Sequence, residues 1–362
     1  MYKIQYDFYK NHKLVLDKKI YYKKGLSGIV NIGNKCYSNS IIQCLSHTIK
    51  LTDYFLSCKF KQDVVESHLR SRPKFNTVLC YVGLLNKLWT FNELIQPSFF
   101  YDNIKLNIKK YNNNNQHDSH EFLIDLLDLF HNVLSYKINV NISGEIKNEH
   151  DKLMMESLVY WKNLYKNNYS EIVKIFHGLT LNIIQCNNCK YESENIFESY
   201  NSLNININNS NLLNECIEKY FNEFTIHDWK CDKCNSNGCN KSLKLWTIPD
   251  YLIIHLKRFD SNGNKINQYI DFPIDDFDLT KYITKKKRDP NNYIYSLYAI
   301  NNHEGSSRSG HYWSSIKNID DKWYKINDGH VSKYNNNSDL KTQLITSNAY
   351  ILFYYRKYIN NG

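Results

Sequence analysis

Two cysteine pairs with the same spacing, Cys186-Asn187-Asn188-Cys189 and Cys231-Asp232-Lys233-Cys234, restrict this chain more than anything else in it. Each pair is a hook offering two thiolates, and four thiolates satisfy a tetrahedral zinc ion completely. The stretch between residues 189 and 231 must then return on itself, with each hook on its own hairpin. Such a site leaves no open position for water, so one structural, non-catalytic Zn2+ is expected to clamp the two hairpins. Cys239 lies close enough to compete with Cys234 and is expected to be a buried bystander.

The zinc reading needs reduced thiols, and the rest of the chain is consistent with them. No segment approaches the roughly 20 apolar residues of a membrane helix. Met1 to Lys24 is rich in Lys and Tyr and has no apolar signal core. A cytoplasmic or nuclear protein with no membrane partner is expected, whose ten cysteines read as catalytic, metal-binding or buried. The net charge of +10 arises from scattered basic residues. The one dense run, Lys285-Lys286-Lys287-Arg288 before Asp289-Pro290, reads as a solvated loop. No basic patch interleaved with aromatics surrounds the hooks, so a nucleic-acid partner is not expected. Asn-rich pieces such as Asn112 to Asn115 read as loops in a compositionally biased chain.

Periodicity divides the chain into helices followed by strands, an α+β layout. Ile41, Ile42, Leu45 and Ile49 follow Cys36 at helical spacings. Asp118 can cap a second helix, with Glu121 three residues on and Phe122, Leu123, Leu126, Leu127, Phe130, Val133 and Leu134 on one apolar face. After residue 180, strands are expected at Leu203 to Ile207, Tyr251 to Leu256, Tyr293 to Ile300, Tyr312 to Ile316, Trp323 to Ile326 and Ala349 to Tyr355, forming an antiparallel sheet.

Two segments can carry chemistry. In Asn31-Ile32-Gly33-Asn34-Lys35-Cys36-Tyr37, Cys36 stands at a helix start, where the helix N-terminus stabilises a thiolate. The turn before it would aim backbone N–H groups and the Asn31 side chain at an oxyanion forming beside the sulfur. A thiol nucleophile needs an imidazole to take and return a proton, and a group to hold that ring. His311, in Ser309-Gly310-His311-Tyr312-Trp313, supplies the imidazole, and Asn327 or Asp328 at the end of the next strand can orient it.

In this order, these elements resemble the ubiquitin-specific protease family over roughly residues 25 to 357. The cysteine box is similar to Gly28-Ile29-Val30-Asn31-Ile32-Gly33-Asn34-Lys35-Cys36-Tyr37-Ser38-Asn39-Ser40-Ile41-Ile42-Gln43, and the second box to Gln116-His117-Asp118-Ser119-His120-Glu121-Phe122-Leu123. The zinc hooks, Tyr251-Leu252-Ile253-Ile254-His255-Leu256-Lys257-Arg258-Phe259 and the histidine box Gly310-His311-Tyr312 follow in the family's sequence.

The resemblance implies a papain-like cysteine protease core, with a helical thumb at about 25–135, zinc-bearing fingers at about 180–245 and an antiparallel palm at about 246–357. Residues 1–24 would be an extension and 138–172 an insertion, and 281–292 also looks inserted. The implied activity is a thiol-dependent deubiquitinase (ubiquitinyl hydrolase) acting on ubiquitin and ubiquitinated proteins, with room for an activating protein partner. Cys36 would attack the carbonyl of ubiquitin's last glycine, with His311 as base and then acid, Asn327 orienting it, Asp328 as the neighbouring candidate and Asn31 as oxyanion donor. Asp118 matches a residue that engages arginines in the ubiquitin tail. Gln116, Glu121, Gly310 and Tyr312 are the remaining implied substrate contacts. Lys35 stands where the family usually has Thr, and His120 where it usually has Gln. A ubiquitin-binding pseudoenzyme has no need of an oxyanion donor, whereas a protease for another modifier ending in Gly-Gly would use the same residues.

Overall fold

The computed structural model describes residues 3–5, 21–66, 73–208, 210–284, 293–306, 309–335 and 339–357. The run Lys285–Arg288, with the rest of the 281–292 segment from 285 onward, lies outside the described residues. The thumb is built from α1 (Cys36–Ser46), α2 (Ile49–Leu56), α3 (Phe60–Glu66), α4 (Pro73–Thr90), α5 (Ser98–Asn107) and α6 (Ser119–Leu134). All eleven residues of α1 are buried, so its polar side chains must find protein partners. Gln43 donates to Ser27 O at 2.8 Å, and Ser40 Oγ accepts from Asn301 at 2.7 Å. The helix stops before Ile49, which opens α2, because the backbone turns at His47 and Thr48. At the start of α6, Asp118 Oδ1 accepts the backbone N–H groups of His120 and Glu121, the N-cap expected from its position.

Two strands, β1 (Lys3–Gln5) and β2 (Asn141–Ser143), pair antiparallel, and α7 (Glu149–Tyr165) and α8 (Glu171–Phe176) lead into the fingers. The fingers sheet has the order β4-β3-β7-β6, from β3 (Gly178–Cys186), β4 (Glu192–Tyr200), β6 (Phe224–Lys230) and β7 (Asn237–Thr247). Helix α7 lays Leu153 on the Leu179, Leu181, Phe197 and Trp246 face of that sheet.

The palm sheet runs β13-β12-β11-β10-β14-β8-β5, with β9 (Phe277–Asp278) paired to β10. Its members are β5 (Leu203–Asn206), β8 (Tyr251–Lys257), β10 (Ile294–Gly305), β11 (Gly310–Lys317), β12 (Trp323–Asn327), β13 (His330–Lys333) and β14 (Ala349–Arg356). One pairing departs from the antiparallel expectation. β5 and β8 run parallel, because α9 (Leu213–Phe221) and the fingers strands β6 and β7 intervene between them and supply the long crossover that parallel strands need. Alternation distributes each strand between two cores. Tyr251, Ile253, Ile351 and Phe353 face the thumb helices, while Leu252, Ile254, Leu352 and Tyr354 face a second cluster that includes α9. Burial on both faces explains why these strands read as continuous apolar runs. A short helix, α10 (Leu340–Leu344), precedes β14.

Thumb and palm meet at a close backbone approach. A Cβ on Gly28 would collide with the backbone of Gly329, so glycine is required where the strand leading to the nucleophile passes the β12–β13 turn.

Candidate active site

Cys36 is the first residue of α1 and is 3% exposed. Gly33 (φ +67) and Asn34 (φ +59) are consecutive left-handed residues, which gives the sharp turn into the helix. The Asn31 side chain spans that turn, its Oδ1 accepting the Lys35 N–H at 2.8 Å. The Lys35 ammonium donates to Asn113 O at 2.7 Å.

His311 lies at the start of β11, and Asn327 ends β12 one step beyond the Ser314–Ile326 pair, on the same sheet face. His311 Nε2 is 2.5 Å from Asn327 Oδ1, which leaves Nδ1 for the sulfur. The imidazole pKa is raised to about 9: the hydrogen bond with Cys36 is the largest cause, burial opposes it, and Asn327 and the Asp328 charge add to it. The ring of Trp313 lies nearly parallel to His311, with centroids 6.5 Å apart. Folding therefore joins residue 36 to residue 311 across the seam between thumb and palm.

Asn327, the orienting residue implied by the resemblance, and Asp328, the neighbouring candidate, have different places. Asp328 adopts φ 48 in the β12–β13 turn, and this conformation turns its carboxylate toward the nucleophile strand. Oδ2 accepts Asn31 Nδ2 at 2.9 Å, Oδ1 accepts Asn39 Nδ2 at 2.7 Å, and its carbonyl accepts Ile29 N–H at 2.9 Å. The carboxylate thus fixes the amide of Asn31, whose second N–H lies outside this bond. Asn39, absent from the sequence-level candidates, also accepts the Tyr101 hydroxyl at 2.5 Å. Its position one helical turn after Cys36 is the signal that points to it.

On the other side of the Cys36–His311 pair, Gln116 brackets Gly310. It donates to the Gly310 carbonyl at 2.9 Å and accepts its N–H at 2.7 Å. A Cβ on Gly310 would strike the buried ring of His303. Tyr312 packs on that ring, with centroids 4.5 Å apart, and Tyr350 stands 6.2 Å from Tyr312. Asp118 Oδ2 accepts the Tyr350 hydroxyl at 2.5 Å, so its two oxygens are held by a helix cap and a palm tyrosine. Glu121 is exposed and meets Lys110 Nζ at 2.7 Å. His120 stacks face to face on His255, with centroids 4.0 Å apart. Burial holds both histidines below the usual imidazole range, His255 at about 2.

The four hook sulfurs converge at the tip of the fingers, all within 4.8 Å of one another. Cys186 Sγ is 3.6 Å from Cys234 Sγ, and Cys189 Sγ is 3.7 Å from Cys231 Sγ. Zinc–sulfur bonds of about 2.3 Å in a tetrahedron put sulfurs about 3.8 Å apart, so this set fits a structural zinc. Cys239 is buried opposite Cys186 in the β3–β7 register and stands outside the four.

The family model for ubiquitin carboxyl-terminal hydrolases matches residues 27–354. Ubiquitin carboxyl-terminal hydrolase 2 of Bos taurus is 30% identical over 345 residues, covering 91% of this chain and 55% of the relative. Ubiquitin carboxyl-terminal hydrolase Usp2 of Drosophila melanogaster is 32% identical over 365 residues, covering 97% of this chain and 36% of the relative. The chain therefore spans about half or less of the length of these curated relatives. The SAGA Ubp8/Sgf11/Sus1/Sgf73 deubiquitinase module bound to ubiquitin aldehyde shares the fold, with a TM-score of 0.73 and 24% identity over 93% of this chain and 71% of that one. The chain belongs to the ubiquitin carboxyl-terminal hydrolase family.

Proposed function

We propose that this chain is a thiol-dependent deubiquitinase that hydrolyses the isopeptide or peptide bond after the C-terminal glycine of ubiquitin. The observation that carries the reading is the pairing of His311 with Cys36 on one side and Asn327 on the other, with the Asn31 amide, in the turn before the sulfur, held by Asp328. Cys36 Sγ adds to the glycine carbonyl, and the carbonyl oxygen takes up charge opposite the Asn31 amide and the N–H groups of the helix start. His311, protonated in its pairing with the thiolate, gives that proton to the departing lysine amine. The thioester formed on Cys36 is then hydrolysed, with His311 taking a proton from the attacking water and returning it to the sulfur.

A tail ending in Gly-Gly brings no side chains to the sulfur. Gly310, beside His311, admits no Cβ because the His303 ring fills that position, and Tyr312 and Tyr350 pack behind it. Asp118 supplies the carboxylate at which a basic tail residue forms charge-assisted hydrogen bonds. The hooks would hold one zinc ion that braces the fingers, remote in function from the thiol. A solved relative of the same fold is bound to ubiquitin aldehyde, which supports ubiquitin as the modifier.

Ubiquitin carrying a C-terminal electrophile tests the reading, beside the same electrophile on other modifiers ending in Gly-Gly. An adduct at Cys36 with the ubiquitin probe is the expected result. No adduct under reducing conditions removes the enzyme, and labelling confined to another modifier changes the substrate.

A further inference from the structure

Lys35 and the asparagine loop at 112–115 take no part in the chemistry above, yet they are joined. Lys35 is 2% exposed, and its Nζ donates to the carbonyl of Asn113 at 2.7 Å, 5.8 Å from the centre of the Tyr37 ring. No carboxylate pairs with this ammonium among the described residues; burial, and then the Lys105 charge, lower its pKa. The residue before it repeats the contact: Asn34 Nδ2 donates to the carbonyl of Asn114 at 2.8 Å. Two consecutive side chains of the turn into Cys36 thus capture two consecutive carbonyls of one loop. His117 Nε2 lies 2.8 Å from Asn113 Oδ1, closing the loop on itself. At its far end Gln116 brackets the N–H and carbonyl of Gly310, the residue before His311.

We propose that Lys35 is a positioning residue. With Asn34 it fastens loop 112–117 to the nucleophile turn, and through Gln116 that loop sets the separation of Cys36 on the helical layer from His311 on the sheet. The proposal rests on the Cys36–His311 reading above. A proton passes efficiently between two groups only when they are held at hydrogen-bond distance, and a misplacement of about 1 Å costs on the order of a hundred-fold. A buried ammonium without a counter-charge is itself unfavourable to folding. Stability and positioning therefore pull in opposite directions at this residue, which makes its replacement diagnostic.

The test compares the wild type, Lys35→Met, Gln116→Ala and the double variant. Lys35→Met keeps the length of the side chain and loses the donor. Three quantities are read: the rate of adduct formation with the ubiquitin electrophile, the pH dependence of iodoacetamide alkylation at Cys36 followed on its peptide by mass spectrometry, and Tm. Lys35→Met is expected to label about ten-fold more slowly at a Tm equal to or above that of the wild type. Its alkylation profile moves away from that of the wild type, because the imidazole that shares a proton with Cys36 is no longer held in place. The double variant is expected to be no slower than the slower single one, since one chain of contacts breaks only once. Wild-type rate and profile in Lys35→Met, a loss of rate with an unchanged profile, or effects that multiply in the double variant would each overturn the proposal. Should the wild type fail to react with the ubiquitin probe, the substrate reading falls, while the alkylation profile, which needs no ubiquitin, still decides the role of Lys35.

Discussion

The carboxylate of Asp328 accepts the side-chain amide of Asn31 at 2.9 Å, binding the turn after β12 to the strand that delivers the nucleophile. Asn31 has one N–H spent on this bond, and the other is the donor proposed above for the oxyanion. Removing the carboxylate frees the amide to rotate, although neither residue touches the imidazole.

Asp328→Ala is expected to lower kcat about 10- to 100-fold with little change in KM, less than the about 100- to 1,000-fold typical of losing an oxyanion donor, which is the expectation for Asn31→Ala. Steady-state hydrolysis of a fluorogenic ubiquitin amide measures both. Because most of the effect of the first residue passes through the second, the double variant should fall close to Asn31→Ala, with a small further loss from the charge that Asp328 places near His311. A wild-type kcat in Asp328→Ala would contradict this account.

In the proposed reaction, His311 is expected to set the alkaline limit. Its pKa is raised to about 9 in the folded protein, above the usual imidazole value, so deprotonation through that range removes the acid that the leaving amine needs. The kcat/KM profile should fall above about pH 9, and Asn327→Ala should shift that fall to lower pH, because one contact favouring the imidazolium is gone. The same shift bears on stability. Its contribution is complete below the unfolded value of about 6.5 and disappears as pH rises through about 9. An alkaline limb that stays in place in Asn327→Ala would refute the pairing.

Acid acts through other histidines. Burial depresses His47, His177 and His303 to about 4 and His255 to about 2. The unfolded chain binds protons at these residues below about pH 6.5 while the folded one does not, so the stability they contribute above that value declines as pH drops. Tm by calorimetry should fall steadily from pH 6.5 toward 4. A flat profile across that interval would show that the rings are hydrated or paired in solution.

The fingers depend on the hooks. Cys186→Ser or Cys231→Ser should lower bound zinc, measured by elemental analysis, and reduce Tm by several degrees, because metal binding is coupled to the folding of the two hairpins. Undiminished zinc and Tm in both variants would eliminate the metal site.

How far the molecule was legible in advance depended on the range of the interaction concerned. The cysteine hooks, the turn before Cys36 and the His311 segment compress chemistry into a few adjacent residues, so spacing alone reveals them. The cap at Asp118 is local in the same sense. Asn327 and Asp328 could not be separated, since the choice depends on where β12 ends and on the left-handed backbone that follows. Asn39 has the right spacing, but its polarity becomes informative only once α1 is known to be buried on every side. Tyr350 and His255 meet because β14 and β8 pair in one register across a long stretch of chain, and no local pattern specifies that pairing. The parallel β5–β8 contact escaped notice for the same reason.

The layering of α1 against β10, β11 and β12 has an implication for biosynthesis. The helix bearing Cys36 leaves the ribosome well before the strands that cover it. Until residue 327 has emerged, that helix lacks its cover and the sulfur lacks the imidazole with its amide partner. Each new molecule thus passes through a period in which this thiol is open to oxidants and without its partner, and the pairing forms only when strands made much later close over it.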